Sequence, residues 1–373
     1  STSVGQFGTT AFSNIEKITT GSGNDTITVG SGDTTAYTID GGAGDDTIHG
    51  GVNSTLSYAS VTSGGVLLSI NLSDGTSSAS ITSGNAGSDN FYKFTKFQGS
   101  NQADTFTLTS GDTTSYTLNG GGGADTFVIG ASNHATINGG TLTDGDILSF
   151  ANTSSKVSLS FTASGAGTAT DLANGLVTFS NIKNFVGGAS GTQFAATATD
   201  TTGYKFTSGS ASDSMVGSGG ADTFDLHAKS ISLANVSLNA GGGNDTIYID
   251  QDKLGSSAVN LDGGAGSDTL VVYKGTATAA LDLTALKATN FETLDVLTDT
   301  TGGISVTLSS AGVQQLVGAS ASSVLTLRLG SNDSYSVAVE SGVTVSQGQS
   351  IKFYSNPDLA ASHLIAQVNF TYV

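Results

Sequence analysis

NDTITVGSGDTTAYTIDGGAGDDTI (Asn24 to Ile48) and ADTFTLTSGDTTSYTLNGGGGADTF (Ala103 to Phe127) match column by column, so the chain carries copies of one unit. Within each unit two short runs, DTITV and AYTID in the first copy, alternate apolar and polar residues as a strand with one buried face requires. Glycine-bearing turns, GSGDTT and GGAG, separate them. Neighbouring aspartates recur at 25 and 46, at 104, 125 and 146, and at 222, 245 and 268, with spacings of 21 or 23 residues. Two strands and two corners in so short a repeat predict the coil of a parallel β-solenoid, with rungs stacked about 4.8 Å apart. Helical periodicity is weak, with modest candidates only at 281–287 and 358–367.

The two corners differ. One repeats an Ile or Leu, then Asp or Asn, then glycines: IDGG (Ile39 to Gly42), LNGG (Leu118 to Gly121), INGG (Ile137 to Gly140) and LDGG (Leu261 to Gly264). The other wanders through GSGDTT, GASNHA and DQDKLGSSA. Glycines in the regular corner allow positive φ and close backbone approach, so carbonyl oxygens can turn toward one point. The aspartate that follows adds a carboxylate. Stacked rung on rung, such turns offer the hard-oxygen surroundings that Ca²⁺ takes with six to eight ligands, whereas Mg²⁺ demands a stricter octahedron.

The candidate set is therefore Asp25; Gly41, Gly42, Gly44 and Asp46; Asp104; Gly120, Gly121, Gly123 and Asp125; Asp146; Asp213; Asp222; Gly241, Gly243 and Asp245; and Gly263, Gly264, Gly266 and Asp268. A metal-free alternative stands beside it, in which the glycines make tight corners and the carboxylates accept backbone N–H bonds. Flanking Asp40, Asn119, Asn138, Asn239 and Asp262 are either further ligands or a stacked hydrogen-bond ladder.

Composition supports a hard-cation reading. Of the 30 acidic residues 27 are Asp, the shorter carboxylate suited to tight turns and compact oxygen sites. With a net charge of −18 and basic residues scattered singly, nucleic acid is not an expected partner. No apolar run reaches the length of a membrane helix, so membrane insertion is not expected either. Cys is absent, which leaves no disulfide and no thiolate site.

GGAGDDTIH (Gly41 to His49), GGGGADTFV (Gly120 to Val128) and GGAGSDTLV (Gly263 to Val271) resemble the GGxGxDxUx nonapeptide of the RTX, or haemolysin-type, calcium-binding proteins, where U is a large apolar residue. AGGGNDTIY (Ala240 to Tyr248), GSGGADTFD (Gly217 to Asp225) and TGSGNDTIT (Thr20 to Thr28) depart at one or two glycines. GSNQADTFT (Gly99 to Thr107) and SGSASDSMV (Ser208 to Val216) keep little beyond the Asp and the apolar residue, and around Asp146 the spacing is altered. The resemblance implies an all-β parallel β-roll with Ca²⁺ between stacked turns, type I export, and folding outside the cell when calcium is met. RTX rolls usually run nonapeptides back to back, and here only Ser208 to Asp225 does so. Wider rungs with about five ions on one edge are expected.

Residues 1–275 are expected to form this solenoid, with islands at 20–52, 99–150 and 208–275 joined by connecting rungs, and 276–373 a β-rich cap or assembly region. ATNFETLDVLTDTTGGISVTLSS (Ala288 to Ser310) resembles segments that follow RTX islands in type I-secreted bacterial S-layer proteins. Catalytic patterns are thin: the four histidines are isolated and there is no HExxH or GxSxG. The aromatic stripe Phe91, Tyr92, Phe94 and Phe97 reads as core ahead of a binding patch. The leading expectation is a non-enzymatic, calcium-dependent structural protein, secreted to the cell surface and self-associating as an S-layer lattice. An RTX module of a type I-secreted adhesin is the alternative, and an extracellular carbohydrate-active enzyme or its targeting module the third. Cell-surface polysaccharide is a second candidate partner.

Overall fold

The structure, a computed structural model, describes residues 15–273 apart from 52, 71–76, 82–86, 110, 112, 210–211, 228–234 and 255–258. Beyond 273 it describes 281–282, 287–297, 304–308, 316, 324–329, 335–339, 350–354 and 364–369. The elements among the described residues are nearly all strands, with a helical turn at Gln251–Leu254. None of their helices is long and apolar enough to cross a membrane.

The 21- and 23-residue spacings become strand register. Thr105–Leu108 pairs in parallel with Thr126–Ile129, and that strand with Ile147–Ser149, so that Phe106, Phe127 and Leu148 fall in one column. The column runs on through Phe185, Phe206, Phe224, Ile247, Leu270 and Leu294. Opposite it, on the other sheet, stand Phe97, Leu118, Ile137 and Phe179, then Phe194, Met215, Leu238 and Leu261. Each of these side chains is buried. Strands of only three to five residues suffice because every apolar residue touches like residues above and below it, as Phe106 stacks on Phe127 with ring centroids 5.0 Å apart. Phe91, Phe94 and Phe97 lie in this core, and Tyr92 of the same stripe is half-buried and stacks on His49, so the stripe reads as core rather than as a binding patch.

The connecting rungs differ from a plain solenoid at two places. Val66–Ile70, Ser77–Ile81 and Ser88–Tyr92 run antiparallel, as do Val157–Ala163, Ala166–Asp171 and Leu176–Ser180. In the second meander the chain reverses at Ser164–Gly165, where Gly165 has φ +64. With no glycine-aspartate corner to carry it to the opposite sheet, the chain folds back beside itself. The stack survives, because the outer strands of that meander pair in parallel with His134–Asn138 on one side and Thr192–Ala195 on the other. Parallel pairing also continues past 275, from Thr269–Tyr273 to Thr293–Leu297, Val324–Leu329 and Ser350–Tyr354, before Leu364–Asn369 closes antiparallel. Both modest helical candidates hold strand at Leu281–Asp282 and Leu364–Asn369; most of their remaining residues lie outside the described ones.

Candidate metal centre

Every regular corner leaves the first sheet after the Asx position and enters the second sheet after the aspartate, as Thr38–Asp40 leads through Gly41, Gly42 and Gly44 to Asp46 and Thr47–His49. Register therefore stacks Asp25 with Asp46, then Asp104 with Asp125 and Asp146, then Asp222 with Asp245 and Asp268. Asp213 stands apart. It precedes Ser214–Val216 of the first sheet, so its nine-residue spacing from Asp222 puts it on the opposite edge.

One oxygen of each carboxylate after Asp25 reaches back one rung. Asp46 Oδ1 accepts the Asp25 N–H (2.8 Å), Asp125 Oδ1 that of Asp104 (2.8 Å), Asp146 Oδ1 that of Asp125 (2.8 Å), Asp245 Oδ1 that of Asp222 (2.7 Å) and Asp268 Oδ1 that of Asp245 (2.8 Å). Asp104 and Asp222 do the same for Val66 and Tyr204, and Asp213 for Thr192 on the other edge. The metal-free alternative is thus half present, since these carboxylates do accept backbone N–H bonds.

The second oxygen divides the set. Oδ2 of Asp46, Asp125, Asp146, Asp245 and Asp268 is buried with no hydrogen-bond partner. Each of these residues is at most 2% exposed. Leaving a carboxylate oxygen so placed is costly unless a positive charge joins it. Burial, against the backbone N–H bond each receives, pushes Asp125 up to about 8, Asp245 to about 7 and Asp268 to about 6, and raises Asp46 and Asp146 as well.

The glycines complete a cradle. A Cβ on Gly120 would collide with Asp125 Oδ2 and the Gly139 carbonyl oxygen, on Gly139 with Asp146 Oδ2 and the Asn181 carbonyl, and on Gly263 with Asp268 and the Asn290 carbonyl. The space that glycine leaves is lined by oxygen. Second-position glycines take positive φ, Gly42 at 82°, Gly121 at 107°, Gly241 at 101° and Gly264 at 92°, as do Gly44, Gly123, Gly243 and Gly266. Among the described residues no three His, Cys, Asp or Glu side chains gather as a metal cage, so a cation here draws most of its donors from the backbone. Orphaned carboxylate oxygens, glycine-shaped space and clustered carbonyls fit Ca²⁺.

The flanking residues form the ladder. Asn119 Nδ2 donates to Gln98 Oε1 (2.6 Å), Asn181 Nδ2 to Asn138 Oδ1 (2.8 Å) and Asn290 Nδ2 to Asp262 Oδ1 (2.7 Å). Two further carboxylates belong to the stack and were not singled out from the sequence. Asp89 Oδ1 accepts the Asp46 N–H (2.9 Å), and Glu292 Oε2 accepts that of Asp268 (2.8 Å). GNAGSDNFY (Gly84 to Tyr92) differs from the nonapeptide at one glycine, a signal that its 43-residue distance from Asp46 hides.

The family model for the RTX calcium-binding nonapeptide repeat matches residues 11–35, 38–53 and 234–251 in four copies. The chain carries RTX calcium-binding repeats. Such repeats bind calcium, so Ca²⁺ is the cofactor of this edge. The matches cover turns at Asp25, Asp46 and Asp245, while Asp104, Asp125, Asp146, Asp222 and Asp268 lie outside them. No curated protein matches the chain.

Proposed function

We propose that the chain is a secreted, calcium-folded structural unit of the bacterial cell surface that self-associates into an S-layer lattice, without enzymatic activity. The observation that carries the calcium-folding part is the row of five buried carboxylate oxygens lacking a partner. Calcium supplies their countercharge. The chain's own residues do the rest: Oδ1 of each Asp ties a rung to the one before, and the glycines keep the oxygen-lined space open. Binding free energy then becomes folding free energy, which suits a protein that must stay unfolded where calcium is scarce and fold where it is abundant. RTX repeat proteins are typically exported by the type I route. Support for the lattice comes from the sequence: the Ala288 to Ser310 segment, the absence of Cys and Trp, and the Gly-, Ser- and Thr-rich composition.

A stalk or module of an adhesin is the second reading, favoured by the continuous stacking of rungs through both meanders. Negative-stain imaging of the full chain after calcium addition separates the two. Ordered sheets support the lattice; isolated rods at every concentration reject it in favour of the adhesin module.

A further inference from the structure

Asp104, Asp222 and Asp213 end turns without an orphaned oxygen, and the first two share a construction. In the turn ending at Asp104 the second position is Ser100; in the turn ending at Asp222 it is Ser218. The Ser100 N–H donates to Asp104 Oδ2 (2.6 Å) and its Oγ to Oδ1 (2.9 Å). The Ser218 N–H donates to Asp222 Oδ2 (2.6 Å) and its Oγ to Oδ1 (3.1 Å). Asp213, on the other edge, takes its Oδ2 bond from the Ser208 hydroxyl.

Two sequence positions decide which way a turn is built. In the turns with an orphaned Oδ2, the second residue is Gly with positive φ, at 42, 121, 140, 241 and 264. Two residues before it stands Asp40, Asn119, Asn138, Asn239 or Asp262. In four of the five turns the Asx side chain draws the glycine N–H away from the carboxylate: Gly42 to Asp40 (3.0 Å), Gly140 to Asn138 (3.3 Å), Gly241 to Asn239 (3.0 Å) and Gly264 to Asp262 (3.1 Å). In the two serine turns the residue at that earlier position is Gln98 or Val216, and neither Ser100 nor Ser218 has positive φ. With no Asx acceptor outside, the N–H turns inward and occupies the oxygen that is orphaned elsewhere.

We infer that Ser100 and Ser218 close their turns in place of calcium, so that Asp104 and Asp222 stay metal-free while Asp46, Asp125, Asp146, Asp245 and Asp268 load. The inference rests on the calcium reading of the edge and adds a rule for which turns obey it. Its placement has a use. Asp104 and Asp222 open their islands, each following a rung that offers Val66 or Tyr204 where a carboxylate would otherwise stand. An ion between stacked turns lacks half its shell there, and a serine-closed rung gives the loading turns a finished surface to stack on.

The test counts bound calcium per full-length chain by equilibrium dialysis with atomic emission, alongside circular dichroism to confirm the fold. Asp245→Asn is expected to lower the count relative to the unsubstituted chain, and Asp222→Asn to leave it unchanged. Val216→Asn combined with Ser218→Gly rebuilds the open pattern and is expected to add one ion; Val216 is exposed, so its replacement disturbs no packing. Equal losses from Asp222→Asn and Asp245→Asn overturn the inference, as does a folded double variant that gains nothing. Should the double variant not fold, the two Asp→Asn counts decide. A folded, unsubstituted chain that binds no calcium sinks the calcium reading itself, a result distinguishable from failure of the serine rule alone.

Discussion

The two edges of the solenoid join the same two sheets and solve the same turning problem in opposite ways. On the irregular edge polar side chains satisfy the backbone locally: Asn133 accepts from the Gly130 N–H and donates to the Thr109 carbonyl, and Thr153 Oγ1 donates to the Ile129 carbonyl. Asp33, out in solvent there, bonds the Thr35 N–H and the Tyr37 hydroxyl, which hold its carboxyl below the usual range. On the regular edge a carboxylate oxygen is buried and left open in turn after turn. One edge closes mainly with its own side chains, His134 Nδ1 being a buried exception; the other leaves a carboxylate oxygen for a cation in turn after turn. That contrast explains the unequal regularity of the two corners. Many side chains can finish a hydrogen bond, whereas an oxygen-lined space of fixed size admits few.

Calcium removal should break the comparison most severely. In EGTA the chain is expected to lose its β-type circular dichroism and regain it with calcium but not with an equal concentration of magnesium; a melting curve indifferent to EGTA would contradict this. Next in size is Asp125→Asn. With calcium present it removes one member of a buried charge pair, a loss of about 3–5 kcal/mol. Without calcium its sign reverses, because the amide oxygen still accepts the Asp104 N–H while the cost of protonating or burying a carboxylate disappears. Denaturant titration in calcium reads the first sign, and any β-type circular dichroism that the variant regains in EGTA over the unsubstituted chain reads the second.

Gly120→Ala should cost about 1–3 kcal/mol through overpacking against Asp125 Oδ2 and the Gly139 carbonyl. Gly30→Ala, on the irregular edge, meets open space and should be close to neutral by the same titration. A smaller effect is pH dependence of the metal-free fold. Asp125, Asp245 and Asp268 have folded values of about 8, 7 and 6 against 3.8 ordinarily. Their protonated forms therefore support the metal-free fold fully below about pH 4, and that support is lost as pH rises through about 6 to 8. In EGTA, β-type circular dichroism should therefore be kept at acid pH and fall over this window, and a signal that rises with pH would refute the assignment. Smallest of all, Asp33→Asn should leave stability in calcium nearly unchanged.

Much of the architecture was legible in the sequence because a solenoid writes its register as a period. The 21-residue steps from Asp104 to Asp146 and the 23-residue steps from Asp222 to Asp268 are the Cα partners of the second sheet. What period could not show was anything that breaks it. Asp89 stacks on Asp46 across a meander, Glu292 ends the ladder with a different residue type, and Asp213 shares the spacing of a nonapeptide but faces the other edge. The serine closures were hidden for another reason. A motif scores Ser100 and Ser218 as imperfect glycines, whereas their effect depends on where one backbone N–H points.

The ladder of carboxylates also gives the molecule an arrow. Each acid holds the rung before it and is never held by it, from Asp46 back to Asp25 through to Glu292 back to Asp268. A fragment cut within an island accordingly has unlike ends. Its leading face presents a carboxylate stripped of its donor, and its trailing face presents an N–H stripped of its acceptor. Trimming from the two ends is therefore not equivalent: the first exposes negative charge, the second only a peptide group that water can satisfy.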